Sequence, residues 1–137
     1  MALDQATKWW AVRALADSPI IVADGILQFK LTFNTGASFS LFAGSGQIIA
    51  VVAFGVVGFV VYILGDVGRR IEAAALGLIL GGAVGNLIDR VSRGSGILDG
   101  AVVDFIDFSF FATFNVADIA VNVGVVLLII AAFWKRA

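Results

Sequence analysis

Ten side chains in this sequence are acidic: nine Asp and Glu72. There is no His and no Cys. Thiol nucleophiles, disulfides, a Ser–His–Asp triad, the usual zinc ligand sets, and haem or iron–sulfur ligation by those residues are therefore excluded. Aspartate is the acid–base group that remains. Asn86, Asp89 and Arg90 stand at i, i+3 and i+4, which is one face of a helix. Asn115, Asp118 and Asn122 stand at i, i+3 and i+7, again one face. Asp104 and Asp107 lie between these groups in Ala101–Asp107, AVVDFID, an apolar segment rich in strand formers.

Carboxylates brought together in an apolar setting do not both ionise cheaply. One keeps its proton and serves as acid, while the other serves as base. Such a pair activates a water, directs it onto a peptide carbonyl and protonates the leaving amine. Amide and guanidinium donors at the same depth suit the oxyanion that forms. The blander reading makes these residues boundary groups, with Asp89–Arg90 or Asp89–Arg93 as local ion pairs. That reading fails for Asp118, which has no basic residue near it in sequence and leads straight into an apolar run. The residues alone thus point to a membrane hydrolase built on two aspartates, without saying which two. A small proton- or ion-coupled transport subunit is the alternative, and a structural partner packing through glycines is a third.

The elements that carry these groups follow from composition. Of 137 residues, 61% are hydrophobic and 14% charged, and the mean hydropathy is +1.04. A soluble domain of this size cannot hide so much apolar surface, and disorder or nucleic-acid binding requires far more charge. The chain reads as one membrane-embedded domain over 1–137. Apolar stretches predict transmembrane helices over 48–64, 71–89 and 116–134. Arg69 and Arg70 share a side with Lys135 and Arg136, which the positive-inside rule makes cytoplasmic. The segments before 48 and over 91–114 then face outward, where Arg90 and Arg93 need a local reason. Residues 26–34, ILQFKLTFN, alternate from Leu27 with Phe29, Leu31 and Phe33 on one face, a strand ending in the Asn34-Thr35-Gly36 turn. Residues 1–15 are amphipathic, and Asp4 argues against a signal peptide. Gly77, Gly81 and Gly85, with Gly82 beside them, predict a close-packing seam.

Five blocks then stand in order along most of the chain. They are Asp4-Gln5-Ala6-Thr7-Lys8; Asn34 through Ser40, NTGASFS; Gly81 through Arg90, GGAVGNLIDR; Val102 through Phe108, VVDFIDF; and Phe114-Asn115-Val116-Ala117-Asp118. Together they resemble the signature blocks of the lipoprotein signal peptidases, or signal peptidase II. The resemblance implies a bacterial inner-membrane aspartic endopeptidase, multi-pass, with its active site towards the periplasm. It implies a substrate, a prolipoprotein cut just before its diacylglyceryl-modified cysteine, and no cofactor or metal. Membrane lipid is expected as a further partner and nucleic acid is not, and nothing in the sequence requires more than a monomer. Carried over by position, the catalytic pair is Asp104 and Asp118. Asn34, Gly36, Asn86, Asp89, Arg90 and Asn115 bind substrate or support the pair, and Asp4 and Lys8 give structural support.

The implied fold is an all-α polytopic membrane protein: four transmembrane helices with a small periplasmic β-cradle, here over 20–45. Two departures accompany the match. Only three residues precede Asp4, so 1–15 is expected to be the end of a first helix that is otherwise missing. The Gly-rich stretch Val91–Ala101 is longer than the family pattern and is expected to be an outer loop beside the site.

Overall fold

The computed structural model describes residues 1–36 and 45–134. Ala37–Ser40 of the second block and the Lys135-Arg136 cluster lie outside the described residues. The order of elements is α1 (Ala2–Ala14), β1 (Ile20–Ala23), β2 (Leu27–Asn34), α2 (Gly46–Leu64), α3 (Arg70–Ser92), β3 (Val102–Phe108) and α4 (Val116–Trp134). Helices α2, α3 and α4, of 19, 23 and 19 residues, are long and apolar enough to cross a membrane. Their large apolar side chains point outward: Phe59, Tyr62 and Phe133 are 63%, 78% and 69% exposed. Such a surface suits lipid and not water, and the chain is a multi-pass membrane protein. The third helix runs past residue 89, the expected end, to Ser92, so Arg90 lies within its final turns.

Close approach of α3 and α4 depends on glycine. A Cβ on Gly82 would strike the Ala117 carbonyl and Val121, and one on Gly124 would come within 2.6 Å of the Ala75 carbonyl. Ala75 and Ile79 therefore meet Gly124, and Gly82 meets Val121 and Ala117, in antiparallel order. The expected Gly77–Gly81–Gly85 seam is only partly correct. Gly77 has open space beside it and Gly81 meets only the Met1 nitrogen, while Gly85 does face α4, meeting Ala117 as well as Asp4 of α1. The true line of contact passes through Gly82, one residue away from the GxxxG register.

Helix α1 buries Asp4, Lys8, Ala11 and Leu15, a stripe at i, i+4, i+7 and i+11. Its apolar end packs against Val103 and Phe105 of β3, and its charged end against α3 and α4. Trp10 closes this contact edge-on against Phe29 and Phe105, at centroid separations of 5.8 and 6.0 Å.

The strands form one antiparallel sheet in the order β1-β2-β3. Sequence reading places a strand over 26–34 and does not resolve β1, a four-residue strand that turns back through Gly25 at φ +68°. It also treats 91–114 as loop, yet this segment contains β3. A register shift between Phe29 and Thr32 breaks the alternation of β2. Beyond it Phe33 is 54% exposed, not aligned with Phe29 and Leu31 as its spacing predicts, and Thr32 pairs with Asp104. After β3 the chain doubles back. Ile106 and Phe114 exchange two backbone hydrogen bonds, 2.9 and 3.0 Å, which returns Asn115 to the side of Asp104.

Candidate active site

The start of α4 is built by a reciprocal cap. The Asn115 side-chain Oδ1 accepts from the Asp118 N–H at 3.0 Å, while Asp118 Oδ2 accepts from the Asn115 N–H at 3.1 Å. Two otherwise orphaned helix donors are satisfied, and both side chains are locked. With its oxygen committed, Asn115 aims its NH2 at Asp104 Oδ1, 2.7 Å away. Asn34 Nδ2 donates to the other oxygen, Asp104 Oδ2, at 3.1 Å. Asn86 Nδ2 donates to Asp118 Oδ1 at 2.9 Å, and Asn86 Oδ1 accepts from Asn115 Nδ2 at 3.1 Å. Asp104 and Asp118 are thus joined through two asparagine amides, one from α3 and one preceding α4. Burial, with the Asp118 charge beside it, pushes the Asp104 carboxyl up to about 7, against the Asn34 and Asn115 donors and the Lys8 charge.

A second layer of charge lies beneath. Lys8 is fully buried, and its ammonium donates to Asp4 Oδ2 at 3.0 Å, Asp89 Oδ2 at 2.9 Å and Asn86 Oδ1 at 2.8 Å. Asp4 Oδ1 accepts from the N–H of Ala117, the residue before Asp118, at 3.0 Å. Asp89 Oδ2 accepts from the N–H of Val103, the residue before Asp104, at 3.1 Å. Each supporting carboxylate therefore holds the backbone next to one member of the pair. Arg93 completes the Asp89 shell at 3.0 Å. Sequence reasoning gives Lys8 and Asp4 only a supporting place. Their i, i+4 spacing on an amphipathic helix was the available signal, but nothing in sequence shows that the pair is buried.

Arg90 is 4% exposed and serves neither Asp89 nor solvent. Its guanidinium donates to the Gly36 carbonyl at 3.0 Å and the Gly100 carbonyl at 3.2 Å. It ties the turn after β2 to the end of the 93–101 loop. Gly36 itself donates its N–H to Asn34 Oδ1 at 3.0 Å, which orients that amide. Of the local pairs considered for Asp89, the one with Arg93 forms and the one with Arg90 does not. Asp107, on the opposite side of β3 from Asp104, accepts from Gln28 and Thr113 and stands outside the cluster. Asn122 does not join either; it is exposed, because the inward line of α4 runs through Ala117, Val121 and Gly124. The Val91–Ala101 stretch is tied to the site, since Gly100 packs on the carbonyls of Asp89 and Arg90.

A cavity of about 230 Å³ opens over these groups. Asp104, Asp118, Asn34, Asn86 and Arg90 line its polar side, and Ile49, Ala50 and Ala53 of α2 its apolar side. The α2 wall carries no chemistry-bearing residue and has no signature in sequence. Among the described residues, no cluster of three or more His, Cys, Asp or Glu side chains could hold a metal ion. The arrangement sets two carboxylates, one of them with its pKa pushed up to about 7, over a single cavity with an apolar wall on one side.

Comparison with known proteins agrees with this chemistry. A family model described as signal peptidase (SPase) II matches residues 1–134. A lipoprotein signal peptidase of Trichormus variabilis is 39% identical over 138 residues, covering 97% of this chain and 84% of that protein. One of Shouchella clausii is 40% identical over 134 residues, covering 95% of this chain and 85% of that protein. A solved bacterial membrane enzyme matches the fold with a TM-score of 0.84 at 28% identity, over 99% of this chain and 84% of the other.

Proposed function

This chain belongs to the signal peptidase II family, and from that premise we propose that Asp104 and Asp118 are the catalytic dyad with which it removes signal peptides from prolipoproteins. The observation that carries the assignment is the double amide bridge: Asn115 and Asn86 hold the two carboxyls over one cavity. At the third position of α4, Asp118 lies where helix dipoles favour negative charge, and it takes the role of base. Asp104, whose carboxyl burial pushes up to about 7, keeps the shared proton. Water loses a proton to Asp118 and adds to the scissile carbonyl, whose oxygen is hydrogen-bonded by the Asp104 carboxyl. Collapse of the tetrahedral intermediate breaks the C–N bond as the dyad delivers a proton to the leaving amine.

The scissile bond is the one before the diacylglyceryl-modified cysteine, with the apolar α2 wall beside the lipid. The site faces the periplasm from the inner membrane, the sheet forms the cradle over it, and α1 corresponds to the end of the first of four bundle helices. The enzyme acts as a monomer, and membrane lipid surrounds α2, α3 and α4. Arg90, Asn34 and Gly36 shape the groove, while Asp4, Lys8 and Asp89 hold the frame. The alternative of an ion-coupled transport subunit gains nothing from the family match.

Asp104→Asn and Asp118→Asn test the dyad in liposomes containing lipid-modified precursor, with enzyme amount measured by immunoblot. Each variant is expected in the membrane at parental level with no detectable cleavage, because an amide can neither release nor share the proton. Asp107→Asn, outside the cluster, is expected to retain most activity. Near-parental cleavage by either dyad variant would sink the assignment.

A further inference from the structure

We propose that Lys8 is a positioning residue of the dyad, acting through the Asn86 amide to hold Asp118 as the ionised member. The inference rests on the assignment of Asp104 and Asp118 made above. An ammonium only donates, so the atom of Asn86 that faces Lys8 at 2.8 Å must be the oxygen. The NH2 is then obliged to face Asp118, 2.9 Å away. The Asn115 NH2, whose own orientation is fixed by the α4 cap, demands the same oxygen. A flipped Asn86 would set NH2 against both donors and oxygen against the Asp118 carboxylate. Lys8 thereby turns a symmetric-looking amide into a one-way connection from a buried cation to a carboxylate.

The three protons of Lys8 are all used, by Asp4, Asp89 and Asn86. The charged groups facing this centre are Asp4 from α1, Asp89, Arg90 and Arg93 from α3, Asp104 from β3 and Asp118 from α4. Of the packed strands, β2 adds only the neutral amide of Asn34. Asp4 and Asp89 already spend their charge on Lys8, Arg93 and the backbone N–H groups of Ala117 and Val103. Among the described residues, Lys8 alone is joined both to this lower layer and, through Asn86, to a dyad carboxylate.

The test is the pH dependence of kcat/KM for cleavage of a lipid-modified precursor by the full chain in detergent–lipid micelles. Lys8→Met is expected to move the acid limb to higher pH by roughly half to one unit, the effect of one lost hydrogen bond. Asn86→Leu is expected to move it equally, and the double variant no further. Limbs that stay in place while only the amplitude falls make Lys8 merely structural and overturn the proposal. Additive shifts mean a direct field effect, without the amide, and also overturn it. The cycle is repeated on Lys8→Met with Asp4→Asn, which removes a cation and an anion together and leaves Asp89 with Arg93. Limb position does not depend on the folded fraction. If no Lys8 variant yields folded enzyme, Asn86→Leu decides: a shifted acid limb supports the connection and an unmoved one ends it. Cleavage by Asp104→Asn or Asp118→Asn would instead remove the dyad assignment itself, a failure that none of these profiles can imitate.

Discussion

Asp104 is held where its charge is unwelcome, and two measurable effects follow. A carboxyl whose folded pKa lies above its unfolded value gives stability that is complete below the ordinary value of 3.8. That stability is lost as pH rises through about 7. Asp104→Asn is therefore expected to raise the unfolding midpoint by several degrees at pH 8 and to leave it unchanged near pH 4. Equal midpoints for parent and variant at both pH values would show that burial does not disfavour this charge. The alkaline limb of the activity profile is expected near pH 7, where the acid loses its proton. Asn115 and Arg90 act by holding other groups. Asn115→Ala removes the shortest bond to Asp104 and the α4 cap together, and should cut kcat/KM by roughly ten- to a hundredfold. Arg90→Lys keeps the charge but cannot reach both Gly36 and Gly100, so cleavage should fall and remain measurable. Parental rates for Arg90→Lys in the same lipid would mean that the two-carbonyl clamp does not matter.

The helix pair α3–α4 carries Asn86 and Asp118, and its spacing is set by Gly82 and Gly124. Gly82→Val is expected to destabilise by about 1–3 kcal/mol and to lower activity, whereas Gly77→Val, facing open space, should do neither. Thermal unfolding of the two purified variants separates them, and equal effects would refute the contact line. Helices were legible in sequence because lipid imposes long apolar runs, and each of the three stands within a few residues of its expected bounds. The strands were less so. The bulge in β2 moves Phe33 out of the face that its spacing assigns, and β1 is too short for any periodicity. The carboxylates and asparagines were legible as a cluster because polar groups at a membrane edge are costly without a role. Their partners were not, since Lys8, Asp4 and Val103 reach Asn86, Ala117 and Asp89 only through tertiary contact.

For the molecule as a whole, a carboxylate pair with no His or Cys nearby makes water activation a matter of protons. Cleavage of a lipid-modified precursor should survive excess EDTA at unchanged rate. Inhibition by the chelator, relieved by adding a divalent ion, would replace the proton-sharing mechanism with a metal-assisted one. The apolar outer face of α2, α3 and α4 also sets where the enzyme can work, because that face suits lipid and the cavity beside α2 must stay at the same depth.

The hydrogen bond from Ala117 N–H to Asp4 Oδ1 spans 113 positions of the chain. During synthesis Asp4 emerges well before its partner. Asp4 and Lys8 can pair at once, one turn apart on α1, so the two charges enter the bilayer edge already neutralised. Asp89 joins them when α3 is made, and only the arrival of α4 supplies Ala117, Asn115 and Asp118 together. The bonding frame around Asp104 and Asp118 is drawn from α1, α3, β3 and α4, so it closes only once all four have packed together.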